Sequence, residues 1–484
     1  MSLRAAFAGA LPAHRVFDDE PTLDCFADDL TEEEPSRPGI VLFPETVEEV
    51  RAIVLAAGRA RVPLTVRAAG TNVAGLAIPS PGGAVVDLSR MDRIVEIDAG
   101  EMYAVIEPGV TWAAMKIALD AIDPPLRLGY PLSPPHTGVL ANCLLDGLGN
   151  LSLRHGSMGE WLAGVEAVLP DGTIVRTGSA AASASWCSRG PLPDLTGLFV
   201  GWQGATGIAT KGAVRLWPAP PLRERSFILA GDRGSAFQAM RLLARTTLCD
   251  DIGGLSWPTG RMLFGAARPT GRDSNEPEFF VYVDLTAETG RELDLKRRRL
   301  HGLLDGLRAA GRRLERPLPV ADLVRLEPAF SRFADFPMAL DFLYRHPGGG
   351  LTWVGTYGPC SRFEEAADRV APLMETAGFP PALVSRPMAG GHFGVLRMLA
   401  RFDRGDPAER RRVREMNRSV LAAVLPLGFL PYKCPPWALP LLREALDPGF
   451  TALLERVRAA IDPAGIMSPR CWRFSSQFAV RGSR

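Results

Sequence analysis

Apolar positions along the chain recur at two periods, and the switches between them mark the elements. Ile40-Val41-Leu42-Phe43 is a short continuous apolar run, the pattern of a buried strand. Val47, Val50, Ile53, Val54 and Ala57 then recur at helical spacing, with Thr46 and Glu49 placed as a capping box at the helix start. Residues 63–67 read as the next strand, and a loop of small residues, 68–75, follows with no helical pattern behind it. Apolar runs at 84–88, 94–97 and 103–107 predict β structure that stops at Pro108-Gly109. A helix is predicted over 111–122, with Trp112, Met115 and Leu119 on one side. A hairpin is predicted from 164–168 to 174–175 around Asp171-Gly172. Past a Pro-rich joint at 218–221 the pattern changes. Strands at 227–229, 279–283, 351–354 and 395–402 alternate with Arg-rich helical segments that include 363–378 and 407–424. That alternation predicts a second, α+β domain over 219–429, after a first domain of residues 1–218 and before a C-terminal segment of 430–484. The last segment carries Tyr432-Lys433-Cys434-Pro435-Pro436-Trp437, a helix ending near Ala460, and Asp462-Pro463-Ala464-Gly465-Ile466.

Composition narrows the class. The chain has 484 residues, 46% of them hydrophobic, and its 55 basic side chains almost cancel 54 acidic ones. Such a chain is long enough for several buried cores and too apolar to be disordered. Its near-zero net charge argues against bulk electrostatic binding to nucleic acid. The seven Cys are scattered, odd in number and never in a C-x-x-C pair. Neither a disulfide framework nor a zinc ribbon is expected, and a reducing compartment suits them. The apolar stretch near Ala5–Leu11 is too short for a signal peptide, and no run is long enough to span a membrane, so a cytoplasmic location is expected.

The most informative chemistry is the small-residue loop at Gly70. Glycines let successive backbone amides turn inward as an anion-binding nest, which suits a pyrophosphate without a basic side chain; an ordinary tight β connection has the same composition. The loop matches neither G-x-G-x-x-G nor the P-loop pattern. It is followed, in order, by Leu88-Ser89-Arg90-Met91-Asp92-Arg93-Ile94, by Glu107-Pro108-Gly109-Val110, and by Gly138-Val139-Leu140-Ala141-Asn142 with Gly147-Leu148-Gly149-Asn150. Then come Gly164–Gly172 and Gly204-Ala205-Thr206-Gly207-Ile208-Ala209-Thr210.

This ordered set resembles the flavin-binding domain of the vanillyl-alcohol oxidase and 4-cresol methylhydroxylase family. Tyr432-Lys433 resembles that family's active-site Tyr-Arg, and Asp462-Pro463-x-Gly465-Ile466 its closing D-P-x-G-I. The resemblance covers about 40–218 and 425–472. It implies an α+β fold: a two-subdomain, PCMH-type (p-cresol-methylhydroxylase-type) FAD-binding domain, and an α+β cap domain with an antiparallel sheet over the flavin ring. It implies FAD, held non-covalently, with the pyrophosphate on the amides of Ala69, Gly70, Thr71, Asn72, Val73 and Ala74. His136, Thr137, Gly138, Ala141, Asn142 and Gly149 would lie along the ring and diphosphate. Val165, Gly207 and Ile208 would sit near the adenine end.

The sequence departs from the phenol-oxidising members at three places. Ala74 stands where they carry a loop Tyr, Lys433 where they carry Arg, and Ser133 where they carry an acidic residue. Lys supplies one compact charge in place of a planar fork. Tyr432 is the candidate acid/base group, or else an amphipathic Tyr closing the domain interface; Lys433 is its candidate cation, or else the partner of a nearby carboxylate. His392 is a candidate base, or else a strand-start His satisfied by backbone. His346 falls where some members tether the flavin, and is otherwise a loop His. Thr71, Pro134 and Pro135 stand where doubly tethered relatives carry His and Cys. The H-x-G-D-G-N-x-H metal motif of 2-hydroxy-acid-oxidising relatives has no counterpart, so no metal is expected. The expected activity is removal of a hydride from a benzylic or alcohol carbon of a small substrate, a phenol being one candidate. The alternatives are a metal-independent hydroxy-acid or sugar-type oxidase, and a catalytically eroded flavin-binding partner subunit. Oxygen, a protein or a quinone would take the electrons, and relatives of this kind are often dimers.

Overall fold

Among the described residues three large sheets organise the chain, and a fourth pairs only Leu126–Arg127 with Trp217–Pro218. The structure is a computed structural model, and it describes residues 2–263, 265–266, 268–333, 346 and 348–474. The first sheet has four strands in the order Val16–Phe17, Ile40–Leu42, Ala84–Asp87, Leu64–Arg67, the last three mutually parallel. Helix Val47–Ala60 makes the crossover, and its Val50, Ile53, Val54 and Ala57 are fully buried against Ile40, Leu42, Ala84 and Val86. Half of the expected capping box forms, with Thr46 Oγ1 accepting from the Glu49 amide at 3.2 Å. The Glu49 carboxylate accepts instead from the Glu45 amide and from Arg15, because a buried guanidinium outcompetes an exposed amide for it.

The second sheet is antiparallel, in the order Ile94–Asp98, Tyr103–Ile106, Ile208–Arg215, Leu162–Val168, Ile174–Arg176. Its apolar face packs on helix Trp112–Asp120 through Trp112, Met115 and Leu119. The chain end returns to the first sheet. The Leu64 amide donates to the Ile466 carbonyl, and the Ser468 amide to the Leu64 carbonyl. Asp462 holds that turn, accepting from the amides of Ile466 (3.1 Å) and Met467 (2.9 Å), which explains a carboxylate four residues before the isoleucine.

The third sheet is antiparallel and has eight strands. Their order is Leu318–Pro319, Leu222–Ala230, Phe279–Ala287, Asp251–Ser256, Ala382–Met388, Phe393–Asp403, Gly349–Gly358, Leu430–Pro431. Helices Arg233–Ala244, Gly290–Ala309, Phe363–Thr376 and Pro407–Val424 cover one face, burying Ile228, Val281, Leu396, Met398 and Phe402. Alternation along Phe393–Asp403 therefore puts Arg397 and Arg401 on the other face.

Two central strands of this sheet, Asp251–Ser256 and Ala382–Met388, have no counterpart in the hydrophobic pattern. The first contains Gly253-Gly254, and the second carries a charge and a proline at Arg386-Pro387. Both are wholly buried because their charges meet one another. Arg386 donates to Asp251 at 2.6 Å and to the Gly149 carbonyl at 2.7 Å, while Asp284 accepts from Arg225 and Arg223. The Arg386 contact ties the sheet to the 138–150 loop.

Candidate active site

A cleft runs between the first two sheets and reaches the edge of the third. It encloses about 1270 Å³ of non-protein space, its open mouth included. One wall is the loop that leaves strand Leu64–Arg67, contributed by Ala69, Gly70, Thr71, Asn72 and Val73. Among the described residues the amides of these five donate to no protein group. Gly70 has φ +67°, a left-handed backbone conformation that favours glycine. Asn72 organises the turn: its Oδ1 accepts from the amides of Ala74 (2.7 Å) and Leu76 (3.2 Å). The Ala74 amide is thereby spent inside the loop and Ala74 does not line the cleft, which shortens the expected nest by one residue.

The opposite wall comes from Thr137, Gly138, Ala141 and Asn142, at the start of helix Val139–Leu144, and from Gly204, Thr206, Gly207 and Ala209. A Cβ on Gly207 would stand 2.7 Å from the Val168 carbonyl, which keeps that wall thin. Four of the expected residues lie elsewhere. Val165 and Ile208 are fully buried in sheet cores behind the wall, since strand alternation turns them away from it. Gly149 packs against Gly129 and accepts from Arg386. His136 is exposed.

Buried polar atoms without a protein partner belong to residues that line the same cleft. Arg67 Nη1, Gln203 Oε1 and Trp353 Nε1 have no hydrogen-bond partner, and all three residues line it. Two donors and an acceptor left unsatisfied in one cavity, beside five undirected amides, fit a large polar ligand that carries anionic groups. Arg67 is a cation the Gly-loop reading left out, although it stands three residues before Gly70.

At the third-sheet end lie Lys433 and Trp353, with Tyr432 and Arg397 just behind them. Lys433 Nζ donates to Asn142 Oδ1 at 3.2 Å. Burial first, and the Arg397 charge second, pull its pKa down to about 7. The Tyr432 hydroxyl accepts from Arg397 Nε at 3.0 Å and Nη2 at 2.8 Å. Its ring stacks on Tyr357 at 4.5 Å between centroids, and the Tyr357 hydroxyl donates to the Asp146 carbonyl. Burial raises the Tyr432 pKa, and the Arg397 charge opposes that rise. Arg397 also lies 5.2 Å from the Trp353 ring centroid. Sequence reading missed Arg397, yet the alternation of Leu396, Met398, Ala400 and Phe402 with Arg397 and Arg401 is the signal that could have found it.

The other histidines stand apart. His392 is exposed and does not line the cleft, because the chain turns at Gly390-Gly391 before strand Phe393–Asp403 begins. His346 Nε2 is bonded to the Gly350 carbonyl at 2.7 Å and does not line the cleft. Ser133 lines the cleft and pairs with Thr137. Among the described residues no cluster of His, Cys, Asp and Glu has metal-binding geometry.

Comparison with known proteins agrees with this architecture. The family model described as FAD binding domain matches residues 38–178. The glycolate oxidase subunit GlcD of Bacillus subtilis is 31% identical over 217 residues, 44% of this chain and 44% of that protein. The 4-cresol dehydrogenase [hydroxylating] flavoprotein subunit of Pseudomonas putida is 27% identical over 265 residues, 52% of this chain and 50% of that protein. The matched regions thus span about half the length of these curated relatives or less. In three dimensions the chain superposes on p-cresol methylhydroxylase with substrate bound at a TM-score of 0.85 and 20% identity, covering 97% of this chain and 95% of that one. The 4-ethylphenol oxidase of Gulosibacter chungangensis superposes at 0.84 and 20% identity, covering 97% and 96%. The fold is therefore α+β with a PCMH-type FAD-binding domain, and its cofactor is FAD. Residues 38–178 thus match an FAD binding domain, and the chain as a whole shares the fold of these two solved structures.

Proposed function

We propose that this protein is an FAD-dependent oxidoreductase that removes a hydride from a carbon bearing, or conjugated to, a substrate oxygen, and that Tyr432 meets that oxygen. The observation that carries the reading is the Tyr432 hydroxyl, buried beside the cleft and held by two Arg397 donors. FAD, when bound, supplies the two-electron acceptor. The chain's own groups would do the rest. Ala69–Val73 and Arg67 would hold the anionic part of the cofactor, with Thr137, Gly138, Ala141 and Asn142 along its other side. Tyr432 would give or take a proton at the substrate oxygen, and Lys433 and Arg397 would lower the cost of negative charge there. The third sheet and Trp353 would exclude water from that end. FAD would be held without a covalent bond, since His346 is engaged with the Gly350 carbonyl. Oxygen, a protein or a quinone would reoxidise the flavin.

Hydroxy-acid oxidation is the second reading. The names of relatives such as the glycolate oxidase subunit GlcD support it, and Lys433 with Arg397 would also suit a carboxylate. Anaerobic mixing with a 4-alkylphenol and, separately, with a 2-hydroxy acid decides between the two. Bleaching of the flavin by the phenol alone supports the first, and by the hydroxy acid alone the second. Tyr432→Phe should slow the effective substrate's reduction step by about 10- to 100-fold. An unchanged rate removes Tyr432 from the chemistry.

A further inference from the structure

A buried phenol with two donors on its oxygen has little choice about its own proton. Arg397 Nε and Nη2 both point at the Tyr432 oxygen, at 3.0 and 2.8 Å. A hydroxyl oxygen accepts at most two hydrogen bonds, so both acceptor positions are filled and only the O–H remains to be placed. Among the described residues no acceptor receives it. The arrangement is braced on every side. Tyr357 stacks nearly parallel on the ring, with 4° between planes, and is itself tied to the Asp146 carbonyl. Arg397 is buried and lies over Trp353, and the Gly355 backbone abuts the Tyr432 ring so closely that a Cβ there would come within 2.7 Å.

We propose that Arg397 is a positioning residue for Tyr432: by filling both acceptor sites of the phenol it makes Tyr432 an obligate hydrogen-bond donor to whatever occupies the end of the cleft, which must therefore present an acceptor oxygen. The guanidinium that relatives carry beside the tyrosine in sequence is in this chain delivered across the third sheet, from the middle of strand Phe393–Asp403. That frees Lys433 to reach Asn142 on the opposite wall. The proposal rests on the reading of Tyr432 as the group that meets the substrate oxygen.

Other charges also act on Tyr432. Arg386 on strand Ala382–Met388 lowers its pKa, as Arg397 does, and Asp146 on the 138–150 loop raises it; Lys433 lies 5.9 Å from the ring centroid and Tyr357 stacks on it. An experiment must separate Arg397 from these. The protein has six Tyr, few enough for each to be followed by fluorine NMR after incorporation of 3-fluorotyrosine, whose phenol is more acidic. The Tyr432→Phe holoenzyme assigns the resonance by its loss. Arg397→Met should move the midpoint of that resonance up by roughly 1–3 pH units, the effect of removing an adjacent opposite charge. Arg397→Lys, which keeps the charge and loses the fork, should fall between the two. The alkaline limb of the pH profile for flavin reduction should move with the same midpoint. If Arg397→Met fails to yield folded flavoprotein, the wild-type and Arg397→Lys midpoints carry the test. Equal midpoints in the variants and the wild type would overturn the proposal. The titration uses no substrate, so its failure leaves the proposed reaction standing, and an inert substrate panel leaves the titration standing.

Discussion

Lys433 gives the sharpest test of the site's electrostatics, because its charge is costly where it stands. An amine is worth about 1.4 kcal/mol for each unit by which folding moves its pKa. The drop from 10.5 to about 7 thus sets an upper bound of about 5 kcal/mol. The side chain lines an open cleft, where water screens it, and about 2–3 kcal/mol is the expected cost. The sign follows from proton counting. Between about pH 7 and 10.5 the unfolded chain holds the proton and the folded chain has released it, so stability rises with pH across that window. Below about pH 7 both states are charged and the full penalty applies. Lys433→Met removes it. Urea unfolding of the FAD-stripped proteins should show the variant more stable by about 2–3 kcal/mol near pH 6, with the difference shrinking toward zero near pH 10.5. A variant that is less stable near pH 6, or a difference that does not change with pH, would refute the reasoning.

Other consequences are as direct. A Cβ on Gly109 would lie 2.5–3.0 Å from the carbonyls of Ser89, Met91 and Leu88, so Gly109→Ala should lower unfolding stability by about 1–3 kcal/mol in denaturant titrations. Arg386→Met strands the Asp251 carboxylate inside the third sheet and should cost about 3–5 kcal/mol by the same assay, whereas Arg386→Lys should cost less. Gly207→Ala should purify with less flavin per chain, measured by the visible-to-ultraviolet absorbance ratio, because its methyl meets the Val168 carbonyl on the cleft wall. Acid precipitation should leave flavin in the supernatant, and His392→Ala should leave the reduction rate unchanged; yellow pellet or a slowed rate would contradict the placements of His346 and His392.

Much of the first half of the molecule was legible in one dimension. Strand Ile40–Leu42, helix Val47–Ala60 and strand Leu64–Arg67 follow from local period and capping, since each buries its apolar face against sequence neighbours. The Gly70 loop was legible because its glycines mark positive-φ backbone. The short-range pair Tyr432-Lys433 was legible as a motif, but its chemistry was not. The sequence placed Lys433 beside Tyr432 as its cation; the fold turns the amine toward Asn142 and brings Arg397, 35 positions away, onto the phenol oxygen.

What the sequence by itself determined is the set of elements whose burial is local, together with the small-residue loop at Gly70. What only the tertiary structure decided is where charge can be buried. Asp251–Ser256 and Ala382–Met388 do not read as strands, because Gly253-Gly254 and Arg386-Pro387 interrupt their apolar residues. They are central strands because Arg386 and Asp251, 135 residues apart, neutralise one another inside the sheet. A buried charge is unfavourable alone and tolerable when paired. Pairing is a property of space, and local sequence holds no record of it. Arg397 shows the division in one residue: alternation along its strand marks its face, and only the fold brings the Tyr432 oxygen, 35 positions away, onto its guanidinium.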